Sequence, residues 1–272
     1  MLDKDALGTL NWLVEAGADE AIGEVPVNRL VAAPPPQAAA APKAIAAEAA
    51  PMVAMAKSQA AGDTVTNAQT LANAATSLAE LKAALEGFDG GALKRSATST
   101  VFADGTPEGR VMFIGEAPGR DEDRSGKPFV GRAGQLLDKM LASIGLDRTR
   151  NAYITNVINW RPPDNRDPTP EEAAMCLPFL RRHIELADPL LIVLLGAVAG
   201  RHVMGISEGI MKSRGRWLEY RVGERMVPVM PTLHPAYLLR QPAHKKLAWR
   251  DLQAIAIRLE SLGLPELSSQ SN

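Results

Sequence analysis

The chain has 272 residues, 46% hydrophobic and 22% charged, enough apolar material for a sizeable soluble core in one large domain or two small ones. No apolar run approaches the ~18 residues of a membrane span, and the start, Met1-Leu-Asp-Lys-Asp-Ala6, lacks the basic residues and apolar core of a secretory signal. The single cysteine, Cys176, excludes an intrachain disulfide and an all-cysteine metal cage, and a reducing cytoplasm is the expected compartment.

The net charge of −1 hides a segregation. Residues 1–109 carry 7 Lys/Arg against 13 Asp/Glu, whereas residues 110–260 carry 23 against 17. A basic body behind an acidic leader permits a polyanionic partner such as nucleic acid without demanding one.

In chain order, Leu7, Leu10, Leu13 and Val14 recur at helical spacing, so residues 1–30 are expected to hold a short amphipathic helix. It is too small to fold alone and suits docking onto the body or onto another protein, such as a repair partner. Residues 31–65, rich in Ala and Pro, read as a semi-flexible linker. Leu71, Leu78, Leu81, Leu85 and Phe88 predict one helix over Asn67 to Phe88, ended by Asp89-Gly-Gly91. Thr100-Val-Phe102 predicts a short edge strand.

From there strands and helices alternate. Val111–Ile114, Ala152–Val157 and Leu190–Leu195 are short apolar runs bounded by turn residues, as buried parallel strands are. A fourth core strand ends at Thr232-Leu-His-Pro235, after a hairpin pairing Trp217–Tyr220 with Met226–Val229. Helices are predicted over Ala133–Ile144, Pro170–Leu186, from Gly196 through Val203, and over Ala243–Leu262. The pattern predicts an α/β fold, a three-layer αβα sandwich around a central, mainly parallel four-stranded sheet, within one domain over 66–264. Residues 265–272 are expected to be a disordered tail, and the protein is expected to be a monomer.

Ligands of open α/β sheets bind at the carboxyl ends of the strands. The loops there carry Gly115, Glu116, Ala117, Glu122 and Phe129 after the first strand, and Asn156 to Arg166 after the second. The loop after the fourth runs from His234 to Arg240. Each residue has an ordinary reading as well as a functional one. Phe129 is a core aromatic or a stacking plate, Asn156 a turn cap or a ligand reader, and His234 a satisfied surface histidine or a donor. Glu116 accepts bonds within its own turn or faces a substrate. Arg161 and Arg166 are solvated charge or phosphate contacts. Together, an aromatic plate, an amide, a histidine and an acid suit a planar heterocycle, because an aromatic face stacks a base and an amide reads its edge.

The motifs Gly115-Glu-Ala-Pro-Gly119 with Glu122-Asp123, Gly126-Lys-Pro-Phe-Val-Gly-Arg-Ala-Gly134, Thr155-Asn-Val157, Arg161-Pro-Pro163 with Asn165-Arg166, and His234-Pro-Ala236 occur in one order. Over about residues 100–260 the chain thereby resembles the uracil-DNA glycosylase superfamily, its iron–sulfur family four branch in particular. The resemblance implies that Phe129 stacks on a uracil flipped out of DNA, and that Asn156 accepts from N3–H and donates to O4. It implies that His234 stabilises the charge developing at O2, and that Glu116 stands beside the reacting sugar. Glu122 would close the wall near C5, with Gly115 and Ala117 also lining the substrate. Arg161, Arg166 and Arg240 would contact phosphates, and Tyr237, Leu238 and Leu239 would form the wedge filling the vacated stack.

The departures are equally specific. Family four holds a [4Fe–4S] cluster on four cysteines, of which only Cys176 is matched here, while Trp160 stands at the loop position; no cluster and no metal are expected, and Trp160 is expected to fill the space by packing. Ala117 occupies the turn position where the best-known uracil-DNA glycosylases place a water-activating Asp. Arg161 to Pro170 contains no histidine of the kind that captures the product covalently in a related branch, so turnover is expected. The resemblance thus implies a monofunctional glycosylase of base-excision repair, against two alternatives: a DNA-binding relative that has lost catalysis, and a small-molecule enzyme holding a phosphate at the Gly-rich turn. The acids Glu116 and Asp121 to Asp123 oppose the second, as does the lack of a Gly-x-Gly-x-x-Gly pattern.

Overall fold

A computed structural model describes residues 50–264, with side chains from residue 62 onward. The expectations for residues 1–30, for the linker up to residue 49 and for the tail 265–272 lie outside the described residues.

The sheet grows from the apolar runs. β1 (Ala103–Gly105), β2 (Val111–Gly115), β3 (Tyr153–Asn156), β4 (Leu191–Leu195), β5 (Leu218–Val222) and β6 (Arg225–Thr232) lie in the order β1-β3-β2-β4-β6-β5. The four inner strands are parallel and the two edges antiparallel. The expected four-stranded parallel core is therefore present, flanked by one more strand on each side. The edge strand expected at Thr100 to Phe102 forms a few residues later, where Ala103–Gly105 can pair with Thr155, Ile154 and Tyr153. One strand, β6, serves both as second arm of the hairpin and as the fourth core strand.

Period-2 alternation divides the strands between two cores. Met112, Ile114, Ile192, Leu194 and Val229 face one core with Leu81, Leu85, Phe88, Phe179 and Ile184. Val111, Phe113, Val193, Leu195 and Met230 face the other with Leu137, Leu141, Leu252, Ile255 and Leu259. The first helical layer holds α1 (Ala50–Ala74), α2 (Leu78–Gly87) and α6 (Pro170–Ala187), with the short α3 (Gly91–Ser96) beside them. The second holds α5 (Arg132–Ala142) and α10 (Lys245–Ser261). Short helices α4 (Arg120–Ser125), α7 (Ala197–Met204), α8 (Ile210–Ser213) and α9 (Pro235–Arg240) are the other α-helices among the described residues.

The helix expected over Asn67 to Phe88 is in fact two. Ser77 caps the second by accepting from the Glu80 amide at 3.2 Å, and the Glu80 carboxylate accepts from the Thr76 amide at 2.8 Å. Ser77-Leu-Ala-Glu80 is a capping-box sequence, so the local signal for a new start outweighs the continuous apolar stripe. Helix α1 also begins at Ala50, inside the stretch expected to be linker.

Candidate active site

In the order β3-β2-β4-β6, the chain passes from β2 to β3 on one side and then returns to β4 on the other. The topological switch lies between β2 and β4, and a ligand crevice is expected outside the carboxyl ends there. A cavity of about 200 Å³ occupies that position, lined by Glu116, Phe129, Asn156 and His234 among others. Glu116, Asn156 and His234 stand at or just past the carboxyl ends of three different strands, β2, β3 and β6, so the fold brings together what the sequence scatters.

Strand register sets the floor. Gly115 pairs with Asn156, and a Cβ on Gly115 would lie 2.5 Å from Asn156 Oδ1 and 2.6 Å from the Phe129 ring. Glycine is required because the amide and the aromatic plate close over it. Asn156 is 2% exposed, and its Oδ1 has no hydrogen-bond partner. Buried acceptors are nearly always satisfied, so an orphan at a cavity floor marks a place for a ligand donor.

Phe129, 5% exposed, has φ of 54°, a left-handed conformation costly for an aromatic residue. The surroundings hold it there. Arg148 donates to the Phe129 carbonyl at 2.8 Å and to the Pro128 carbonyl at 3.2 Å, and is itself fixed by Asp104 and Asp138. Gly134 in α5 lies so near that a Cβ there would stand 1.8 Å from the Phe129 carbonyl oxygen. Glu122 accepts from the amides of Val130 and Gly131 at 3.0 and 2.9 Å with one oxygen, and from Gly119 at 3.1 Å with the other. It lines the cavity, and its carboxylate ties backbone segments together rather than standing free.

His234 is the N-cap of α9: its Nδ1 accepts from the Ala236 amide at 3.1 Å. Burial, and then the charge of Arg240, hold its pKa down to about 4. With Nδ1 an acceptor in a neutral ring, the proton belongs on Nε2, which is left as a donor. The ring centroid lies 5.4 Å from that of Phe129, and a Cβ on Gly196, at φ 94°, would lie 3.1 Å from the His234 Cβ and 3.6 Å from its ring. The Glu116 carboxyl is raised above its usual range by burial first, and then by nearby Asp167; Arg201 and Arg240 oppose this.

Other expectations change. Leu238 is 1% exposed and packed beneath α9 in the second core, so it cannot serve as a DNA wedge, whereas Leu239 is 36% exposed. The Tyr237 hydroxyl is hydrogen-bonded to His244 Nδ1 at 2.7 Å. Arg166 lines the cavity but is held bidentate by Glu172 at 2.6 and 2.8 Å, which masks its charge from a phosphate. Arg161 donates to Asn165 Oδ1 at 2.7 Å, and Arg240 is exposed at the end of α9. Pro162, Asn165 and Ala236 also line the cavity; the motifs Arg161-Pro-Pro163 with Asn165 and His234-Pro-Ala236 contain them without giving them a role. The backbone turns at Asp164 and Asn165, with φ of 55° and 52°, and Pro162-Pro-Asp-Asn165 is the signal for that turn. Arg148 has no local signal at all, and Gly134 stands only as the last residue of the motif that begins at Gly126.

Fold and site define an α/β protein whose strand ends hold a cavity lined by an aromatic ring, an amide, a histidine and an acid. The family model for the uracil DNA glycosylase superfamily matches residues 102–253. The chain is 45% identical over 149 residues to a type-4 uracil-DNA glycosylase of Thermotoga maritima, covering 54% of this chain and 76% of that protein. It is 44% identical over 154 residues to a type-4 enzyme of Archaeoglobus fulgidus, 55% and 77% of the two chains. It is also 37% identical over 111 residues to a type-5 uracil-DNA glycosylase of Pyrobaculum aerophilum, 36% and 49% of the two chains. The chain belongs to the uracil-DNA glycosylase superfamily.

The residues present do not fit a four-thiolate iron–sulfur cluster. Cys176 is the one cysteine, 0% exposed, its thiol pushed up to about 12 by burial. Trp160, 1% exposed, stacks near Phe88 with centroids 6.4 Å apart and donates from Nε1 to Thr100 Oγ1 at 2.9 Å. Phe88 in turn meets Phe179 at 5.2 Å. Aromatic packing thus occupies the loop position. Among the described residues, no group of three or more His, Cys, Asp or Glu is arranged to hold a metal ion, and no helix is long and apolar enough to cross a membrane.

Proposed function

We propose that this chain is a monofunctional uracil-DNA glycosylase that hydrolyses the N-glycosidic bond of a flipped-out deoxyuridine, releasing uracil in the first step of base-excision repair. The observation that carries the reading is the orphaned Asn156 Oδ1 at the floor of a cavity between an aromatic ring and a neutral histidine donor. An amide presents an acceptor and a donor side by side, which uracil's N3–H and O4 match and cytosine's edge reverses. Phe129 supplies a stacking face fixed before the base arrives. As the glycosidic bond lengthens, negative charge gathers on the base, and His234 Nε2–H is a donor for O2 that needs no proton from solvent. A donor aimed at developing charge is worth about 3 kcal/mol, on the order of a hundredfold in rate. Glu116, which lines the same cavity, is taken to offset positive charge on the sugar or to orient water. The test is incubation with uracil-containing single-stranded and duplex DNA, followed by alkaline cleavage of abasic sites. Strand scission at uracil is expected; a protein that binds such DNA and releases nothing would be a catalytically degenerate relative.

The pH profile follows from the two shifted groups. Ionised Glu116 is the useful form, so the rate falls as pH drops through its raised pKa, and Glu116→Gln flattens that limb while lowering the plateau. Stability falls on the same side for another reason. His234 and His183 are held neutral in the fold, with pKa values down to about 4 and about 3, whereas unfolded histidine titrates near ~6.5. Below about 6.5 the unfolded chain binds protons that the folded chain does not, so their contribution is complete above that pH and is lost as pH falls toward 4. Urea midpoints measured from pH 8 to 4 check this. His234→Asn, which keeps a cap acceptor, makes the decline shallower.

The same reading takes the enzyme to work without an iron–sulfur cluster, the Trp160–Phe88–Phe179 packing standing in its place. Purified protein is expected to be colourless, and an absorption band near ~400 nm with stoichiometric iron would overturn this. It also takes the chain as a cytoplasmic monomer, with the residues before Ala50 available to tether a repair partner. Deletion of residues 1–49 that changed neither activity nor any interaction would remove that role.

A further inference from the structure

A second groove lies outside the catalytic pocket, between α5 and α10, with a volume of about 430 Å³. Leu136, Lys139 and Met140 with the C-cap residue Ser143 form one face of α5 at spacings of three and four, and Ala133, one turn before Leu136, lines the catalytic cavity. The opposite wall is Lys245, Lys246 and Trp249 at the start of α10, with Leu238 in the floor. Trp249 is 44% exposed, unusual for a tryptophan without a function at the surface. Lys139, Lys245 and Lys246 are exposed, and no acid lines the groove. Among the described residues the lysines that form ion pairs are Lys82 and Lys127, so the groove's three charges are uncompensated.

We propose that this groove binds unpaired nucleotides of the uracil-bearing strand, the lysines contacting phosphates and Trp249 stacking a base. Positive charge along a channel with an exposed aromatic is the combination that holds single-stranded nucleic acid. Continuity with the catalytic pocket favours this occupant over a protein. Helix α5 runs from one site to the other, and Ser143 lies about 15 Å along it from Ala133 at 1.5 Å per residue. The floor residue Leu238 belongs to the helix that His234 caps. The inference rests on the glycosylase reading, but its test separates the two.

Two variants are compared with wild type: Trp249→Ala, and the triple change Lys139→Ala with Lys245→Ala and Lys246→Ala. None of these residues lines the catalytic pocket. Uracil release is measured on a strand of about four nucleotides and on one of about fifteen, the range of site sizes single-strand binders show. Affinity for a uracil-free strand of the longer size is measured against salt. On the short strand both variants match wild type. On the long strand kcat/KM falls on the order of tenfold for Trp249→Ala, as loss of one stacked base requires. The triple variant lowers the slope of log affinity against log salt by about 2, since each single-strand phosphate contact contributes about 0.7. Equal losses on both lengths or unchanged long-strand affinity would each overturn the proposal. So would self-association in sedimentation that Trp249→Ala abolishes, which would make the groove an interface between copies. If wild type releases uracil from neither strand while the groove variants still lose affinity, the glycosylase reading fails and the groove stands.

Discussion

Asn156→Ala is expected to lower kcat/KM for uracil release by about a hundred- to a thousandfold with the fold intact. The effect exceeds that of one ordinary hydrogen bond for two reasons. The amide is 2% exposed, so a base that enters leaves water behind and must be matched or lose its own bonds. The amide's acceptor is also already stripped of partners, so the cost of desolvating it has been met in folding and the substrate collects the full interaction. Truncation removes both halves of the readout. Single-turnover release on a fixed uracil strand measures the loss, and a variant within tenfold of wild type would show that the orphaned oxygen has another purpose. His234→Ala belongs to the same class, with a loss of about a hundredfold, but it also uncaps α9. The kinetic comparison is therefore cleaner at Asn156.

Gly134→Ala is expected to destabilise the protein by about 3 kcal/mol, at the upper end of overpacking costs, and to abolish most uracil release. A Cβ at this site meets Phe129 backbone, 1.8 Å from its oxygen and 2.1 Å from its carbonyl carbon, and backbone has no alternative rotamer. Something must move, and the nearest movable unit is the strained turn that carries the stacking ring. The control is Gly87→Ala, where nothing lies within 4 Å of the added carbon and stability should change little. Denaturant midpoints and release rates for the two variants, taken together, separate a general intolerance of alanine from a specific collision. A Gly134→Ala protein as stable and as active as wild type would mean that the turn at Phe129 is soft.

Much of this could be seen in the chain itself, and the failures have physical causes. Three of the four parallel strands declared themselves because burial on both faces forces near-continuous apolar runs, as at Leu191–Leu195, whereas β6, half-exposed at its start, reads as a hairpin arm. Their carboxyl ends located the pocket, so Glu116, Phe129, Asn156 and His234 were reachable from topology and residue chemistry together. What residue type could not convey was engagement. Arg166 has the charge for a phosphate, but Glu172 holds it. Glu122 has the charge for a pocket wall but spends both oxygens on amides. Leu238 and Leu239 are identical in type, and only the orientation of a six-residue helix decides which is buried. Arg148 supports Phe129 from nineteen residues away, a relation that exists only after β3 has docked. The break at Ser77 was legible, yet the leucine stripe running across it concealed the cap.

The carboxylate of Glu122 binds amides on both sides of the turn that presents the stacking ring, one at Gly119 and two at Val130 and Gly131. Three amides that depend on a single acceptor cannot exchange with solvent independently. Opening any one of them loosens the others, so the segment from Gly119 to Gly131 should exchange as one cooperative unit rather than fray as a loop. The long excursion between β2 and α5 is thereby given the rigidity of a packed element, and the ring it carries keeps its place through the fluctuations that admit and expel a nucleotide.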